Sequence, residues 1–421
     1  MIHTERLASG ALLLAEPVDR TDTLCIGFWF LHGSRDEADG EHGFSHFLEH
    51  MLFKGTRARS AFQIAQEIDR VGGLINAFTE KETTCLYVIL PREHVRLAFA
   101  VLSDMAADSL LDPGEMEKEK EVIVNEIGSV DDSPEEKGHE QFLRRMWGEH
   151  PLSRKITGEA SEVKAIERGA LAAFYASRFT TSTLVVAAAG NFDLAEVRAL
   201  AAEVLAGRRA APPAAGTPRG RPDRRPDSSF VDDRFNQVQL YAGISYPVDR
   251  DIDHYYTSLV FSTAFGESMS SRLFQRLREE QALCYTVYSF RTFYSDVGQW
   301  TVYANATPGQ TGKLLAALDA ELARLVREPL DEREIDDARS HLVGSMIVSR
   351  EDMESRMKRL VRQHSMIERV LEFDESVRMI RSVGVADVER FVRTHVRSEA
   401  FNLLAYGSRG VARHAGFRFS F

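Results

Sequence analysis

Apolar positions along this chain fall into two periods. From Phe44 to Leu52 the residues Phe44, Phe47, Leu48, Met51 and Leu52 recur at i, i+3, i+4, i+7 and i+8, which predicts a helix with one continuous apolar stripe. "REHVRLAFAVLSDMAADSLL" from Arg92 carries Val95, Ala98, Leu102 and Met105 in the same way and predicts a second helix. "INAFTEKETTCLYVIL" from Ile75, entered through Gly72 and Gly73, predicts a strand or hairpin, and "TLCIGFWF" from Thr23 is strand-like. Strands and long amphipathic helices in irregular order predict an α+β fold, an antiparallel-rich sheet packed with helices.

A chain of 421 residues is long for one core, so two or more domains are expected. Residues 207–229, "GRRAAPPAAGTPRGRPDRRPDSS", are rich in Pro, Gly and Arg with almost no large apolar side chain, and predict a solvated linker. It separates an N-terminal domain, 1–206, from a C-terminal domain, 230–421, and the two halves echo each other. "TLCIGFWFLHGSR" pairs with "NQVQLYAGISYP", "LLDPGEMEKEKEVIVNEIGS" with "PLDEREIDDARSHLVGSM", and "LVVAAAGNFD" with "FNLLAYGSRG". In that alignment Glu119 falls on Ala338 and Glu126 on Ser345, so the second copy keeps the helix and loses the carboxylates. The expectation is two structurally similar domains.

Composition narrows the function. With 44% hydrophobic and 27% charged residues and a net charge of -11, the chain lacks the basic footprint of a nucleic-acid binder; an acidic cavity would still attract cationic peptides. Three cysteines, Cys25, Cys85 and Cys284, are too few and scattered for a disulfide framework, and without a CxxC pair a thiolate zinc site is not expected. The N-terminus shows no secretory signal pattern, and no run reaches the roughly 18 apolar residues of a membrane helix. A cytoplasmic protein without a membrane partner is the expectation.

The candidate chemistry lies on the polar face of the first helix. His46 and His50 are one turn apart, the spacing at which two imidazoles share a metal ion; the alternative is a solvated helix face. Glu49 stands next to His50, in the pattern H-x-x-E-H, where a carboxylate that does not ligate can take a proton from water. In "MEKEKEVIVNEI" Glu119 and Glu126 are seven apart on one helix stripe shared with Val122 and Ile123, and a carboxylate on an inward apolar face needs a partner or a metal.

These stretches together resemble the pitrilysin-type (M16) zinc metallopeptidases, in the bacterial processing-peptidase-like branch. The resemblance runs from "GSRDE" and "HGFSHFLEHMLFKGT" through "GGLINAFTEKETTCLYVILP" and "EKEVIVNEI" to "SSRLFQRLREEQALCYTVYS", covering nearly the whole chain. It implies one Zn²⁺ per chain held by His46, His50 and Glu126, with Glu49 as general base and Glu119 as the supporting carboxylate. Asn76 and Ala77 match an edge strand to which an extended peptide adds, and Arg278 and Tyr285 match a pair that holds substrate and donates to the oxyanion. The implied activity is endopeptidase cleavage of short or unfolded peptides in a chamber enclosed by a homodimer. Two alternatives stand beside it: a dedicated precursor-processing peptidase, and a non-catalytic core subunit of the same fold. The chain departs from the family at Gln281-Ala282, where relatives commonly carry Arg-Gly, and in having a single glycine, Gly266, before "SSRLF".

Overall fold

The computed structural model describes residues 1–206, 219–223, 225–248 and 250–421. The chain forms two compact units, and neither is a contiguous half. One comprises Met1–Ser129, Arg154–Arg219 and Val348–Glu372; the other comprises Val130–Ser153, Gly220–Ile347 and Phe373–Phe421.

The first unit is built on strands β1 (His3–Arg6), β2 (Leu12–Pro17), β3 (Thr23–Phe30), β4 (Leu74–Thr79), β5 (Thr84–Pro91) and β6 (Leu184–Gly190). They lie in the order β1-β2-β6-β3-β5-β4, parallel between β2 and β6 and antiparallel elsewhere. Alternation along β3 sorts its side chains onto two faces. Leu24, Ile26, Phe28 and Phe30 enter a core shared with helices Phe44–Leu52 and Val95–Asp108, whereas Cys25 and Trp29 enter a second core under helix Met353–Ile367. Trp29 Nε1 donates to Met357 Sδ at 2.9 Å, and a Cβ on Gly27 would stand 2.7 Å from that sulfur, so a larger residue would displace the Met357 side chain from this contact. Glu16 accepts from Arg356 at 2.5 Å and Arg359 at 2.9 Å, which pairs a buried charge that would otherwise be costly.

The second unit contains β7 (Ser228–Asp232), β8 (Val238–Pro247), β9 (Val287–Phe293), β10 (Val297–Ala306) and β11 (Asn402–Gly407), in the order β7-β11-β8-β10-β9. Helix Pro134–Trp147 packs Phe142 and Trp147 into its aromatic core with Tyr241, Tyr303 and Tyr406, and Tyr241 donates to the Glu135 carbonyl at 2.6 Å. The sheet repeats β2-β6-β3-β5-β4 in order and sense, including the parallel pair, β7 with β11. The fold is α+β with two similar domains. The three sequence echoes are β3 with β8, helix Pro113–Asp132 with helix Glu332–Ser349, and β6 with β11.

Each sheet is thus covered on one face by a helix from the opposite half of the chain. Sequence alone hides this exchange, because the apolar stripe of a helix does not say which sheet it covers. Of the expected linker, residues 207–218 and 224 lie outside the described residues. Within the rest, Arg219 donates to both Asp36 carboxylate oxygens, at 2.7 and 2.8 Å, and β7 begins at Ser228. The three cysteines are free and buried.

Candidate metal centre

Helix Phe44–Leu52 starts at Gly43, whose φ of 84° lies in the left-handed region that suits glycine. The Glu37 carboxylate accepts from the Gly43 and Ser45 backbone N–H groups at 3.0 and 2.7 Å, satisfying donors that the first turn leaves unpaired. Burial pushes that carboxyl up to about 8 against the pull of these bonds. Phe47, Leu48, Met51 and Leu52 are fully buried, as their stripe predicts. The opposite face is not solvated: His46 is buried and His50 and Glu49 are half-buried.

What covers that face is helix Pro113–Asp132, which buries Glu119 to 4% exposure between Met116 and Ile123. Val122, expected on the same stripe, is 47% exposed: at about 100° per residue it stands to one side of the Glu119–Ile123–Glu126 line. His46 Nε2 lies 3.7 Å from Glu126 Oε1, and His50 Nε2 lies 3.8 Å from Glu126 Oε2. One ligand atom from each of His46, His50 and Glu126 lies within 4.8 Å of the others, the grouping of this kind found among the described residues. On the far side of its ring, His50 Nδ1 meets Glu119 Oε2 at 3.0 Å, while Glu119 Oε1 takes the Lys54 ammonium.

The electrostatics suit ligation. Burial, with His50 adding to it, lowers the His46 pKa to about 4, so its imidazole is neutral and keeps a lone pair. Burial raises the Glu119 carboxyl, but hydrogen bonds from Lys54 and His50 outweigh it and leave it below its ordinary value. An ionised Glu119 only accepts, so the His50 proton sits on Nδ1 and Nε2 turns toward Glu126. Two imidazole nitrogens and one carboxylate oxygen are a donor set that zinc takes in three-ligand sites with an open position, and these residues fit it.

Glu49 does not join that group. Its Oε2 accepts from the Thr79 hydroxyl at 2.6 Å, and burial raises its carboxyl against the pull of Thr79 and His50. Thr79 ends β4, the open edge of its sheet, where Asn76 and Ala77 also lie. The Ala77 N–H is taken by Asn76 Oδ1 at 2.8 Å. The hairpin after Thr79 rests on the segment "GSRD": Ser34 and Arg35 N–H groups donate to the Glu80 and Lys81 carbonyls, and the Arg35 guanidinium, 1% exposed, meets Glu82 at 2.5 Å. A Cβ on Gly33 would stand 2.3 Å from the Glu80 carbonyl oxygen.

Arg278 and Tyr285 belong to the second unit. The Arg278 guanidinium lies over Tyr285 at 5.1 Å and over Phe274 at 4.5 Å, and Tyr285 is 77% exposed, not a core residue. Between them Ala282 is left-handed, at φ 50°, a region that glycine enters without strain. Glu37, Lys54, Thr79 and the Arg35–Glu82 pair carry no periodic signal of their own. The visible hint was a dense charged cluster, "GSRDE", beside apolar strand residues.

Known proteins resemble this chain over nearly all of its length. Residues 14–160 match the family described as Insulinase (Peptidase family M16), and residues 165–342 match the Peptidase M16 inactive domain. A Mycobacterium tuberculosis protein named as an uncharacterized zinc protease is 34% identical over 97% of this chain and 93% of its own length. One from Bacillus subtilis with the same description is 31% identical over 93% and 95%. The crystal structure of a protease from Helicobacter pylori superposes with a TM-score of 0.88 over 97% of this chain and 99% of that one, at 17% identity, a likeness of fold.

Proposed function

The chain belongs to the insulinase-type M16 peptidase family, and from that premise we propose that it is a zinc-dependent endopeptidase acting on short or unfolded peptides. The observation that carries this reading is the convergence of His46, His50 and Glu126 from two helices, with Glu49 held beside them but outside the ligand group. His46, His50 and Glu126 would hold one Zn²⁺, which would supply a Lewis acid for acidifying water and polarising the scissile carbonyl.

Glu49 takes the proton from the attacking water and later delivers it to the leaving amine; its raised affinity for protons, from burial, suits both steps. Glu119 fixes the tautomer and ring orientation of His50. An extended peptide adds to the open edge of β4 at Asn76 and Ala77, where main-chain hydrogen bonds hold it with little demand on sequence. Arg278 orients the substrate, and the exposed Tyr285 hydroxyl donates to the oxyanion. No described helix is long and apolar enough to cross a membrane. We place the enzyme in the cytoplasm as a homodimer that encloses its substrates.

The complete set His46, Glu49, His50 and Glu126 favours catalysis over the role of a non-catalytic core subunit. Digestion of a peptide library by the zinc-loaded protein, read by mass spectrometry, tests the reading. Cleavage that chelation abolishes is the expected result; an intact library sinks the proposal. A single cleaved motif would instead favour dedicated precursor processing.

A further inference from the structure

Glu49 has three rotatable side-chain bonds, and nothing in its own helix tells it which way to point. Among the described residues the Thr79 hydroxyl is the hydrogen-bond partner of its carboxylate. At 2.6 Å this contact has the length of a hydroxyl donating to an ionised carboxylate, roughly twice as strong as a neutral hydrogen bond. It engages Oε2 and leaves Oε1 open.

The donor is itself closely held. Thr79 pairs with Thr84 in the β4–β5 ladder, and the next residue closes the hairpin, Glu80 N–H to the Thr83 carbonyl at 2.7 Å. On the opposite face of the strand Phe78 packs edge-on against Trp29, with ring centroids 5.1 Å apart, and takes the Lys358 ammonium over its ring at 4.7 Å. The hairpin turn is gripped by the Gly33–Arg35 segment and the Arg35–Glu82 pair. Thr79 is also β-branched, which restricts χ1. Strand register therefore locates the hydroxyl, although β4 is an edge strand.

We propose that Thr79 is a positioning residue for Glu49, so that the sheet edge, and not the motif helix, sets the direction in which the base presents its free oxygen. This rests on the reading of Glu49 as the proton acceptor and deepens it. The competing account is that threonine is here only as a good strand former, in which case valine would serve equally.

Thr79→Val and Thr79→Ser, made in the full chain, separate the two. Val keeps shape and branching and removes the donor; Ser keeps the donor. In the crystal structure of Thr79→Val the Glu49 carboxylate should lose its single orientation while His46, His50 and Glu126 stay in place. Zinc affinity, by chelator competition, should stay within about twofold in both variants, since neither touches a ligand or its supporting carboxylate. For Thr79→Val kcat should fall about tenfold or more with KM within about twofold, and Thr79→Ser should stay within about threefold of the parent, a loss in the range set by other positioning groups. An unmoved Glu49 or an undiminished kcat in Thr79→Val overturns the proposal. So does a Thr79→Ser variant as impaired as Thr79→Val, or loss of zinc or folding in both. If the parent chain cleaves no peptide, the reading of Glu49 as base fails, and the orientation of Glu49 in Thr79→Val still decides the role of Thr79.

Discussion

The Nδ1 nitrogen of His50 lies 3.0 Å from Glu119 Oε2, on the side of the ring away from Glu126. The histidine proposed as a ligand is thereby oriented by a carboxylate about two helical turns before the one that would share its metal. Replacing Glu119 by Gln keeps the shape but removes the charge and leaves one acceptor oxygen for two donors, the His50 Nδ1–H and the Lys54 ammonium. We expect zinc affinity, measured by chelator competition, to fall about 10–100-fold while cleavage of a peptide stays measurable at saturating zinc. Parent-like affinity would make Glu119 a structural partner of Lys54 alone.

Glu49→Gln separates the base from the ligands. Metal analysis should still find close to one zinc per chain, and peptide cleavage should fall by about 10²–10⁴. His46→Ala, His50→Ala or Glu126→Ala should each lose metal and activity together, because three protein ligands is already the minimum for such a site. Zinc lost with activity in Glu49→Gln would put Glu49 among the ligands.

Tyr285→Phe removes one hydroxyl from an exposed ring on which Arg278 stacks. As an oxyanion donor its loss should lower kcat about 10²–10³-fold with zinc content unchanged. An unchanged kcat would reduce the pair to a surface stack.

Stability should fall in acid through His32. Burial, the largest influence, lowers its pKa to about 4 from an ordinary 6.5, so between these values the unfolded chain binds the proton and the folded one does not. The contribution is intact above about pH 6.5 and is lost as pH falls toward 4, up to roughly 3 kcal/mol. Melting temperatures of His32→Leu should decline less steeply over that interval than those of the parent. Parallel curves would mean that His32 does not set the acid limb.

Ala282→Gly should raise stability by about 0.5–1 kcal/mol in urea denaturation. Relief of the left-handed strain at φ 50° outweighs the added freedom of glycine in the unfolded chain. A loss of stability would show that the backbone there is not strained.

The legible part of this protein is what repeats with a period. The stripe from Phe44 to Leu52, the alternation of β3 and β5 and the three echoes between halves all announce themselves, because burial selects them position by position. His46, Glu49 and His50 could be singled out because their spacing has a chemical meaning of its own. The ownership of the two exchanged helices could not be read, since amphipathicity is silent about the partner. Nor could Thr79 or Lys54: a hydroxyl or an ammonium becomes a positioning group through one contact across the fold, and one contact leaves no pattern.

The exchanged helices also set an order of manufacture. When the ribosome has delivered residues 1–206 it has supplied both histidines and all three glutamates of the site, yet Trp29, Cys25 and Leu14 still face no helix. Their cover, Met353–Ile367, emerges only after most of the second unit has been made. Until then that apolar sheet face lacks its cover, so the first unit cannot complete its core before the chain has been made almost to its end.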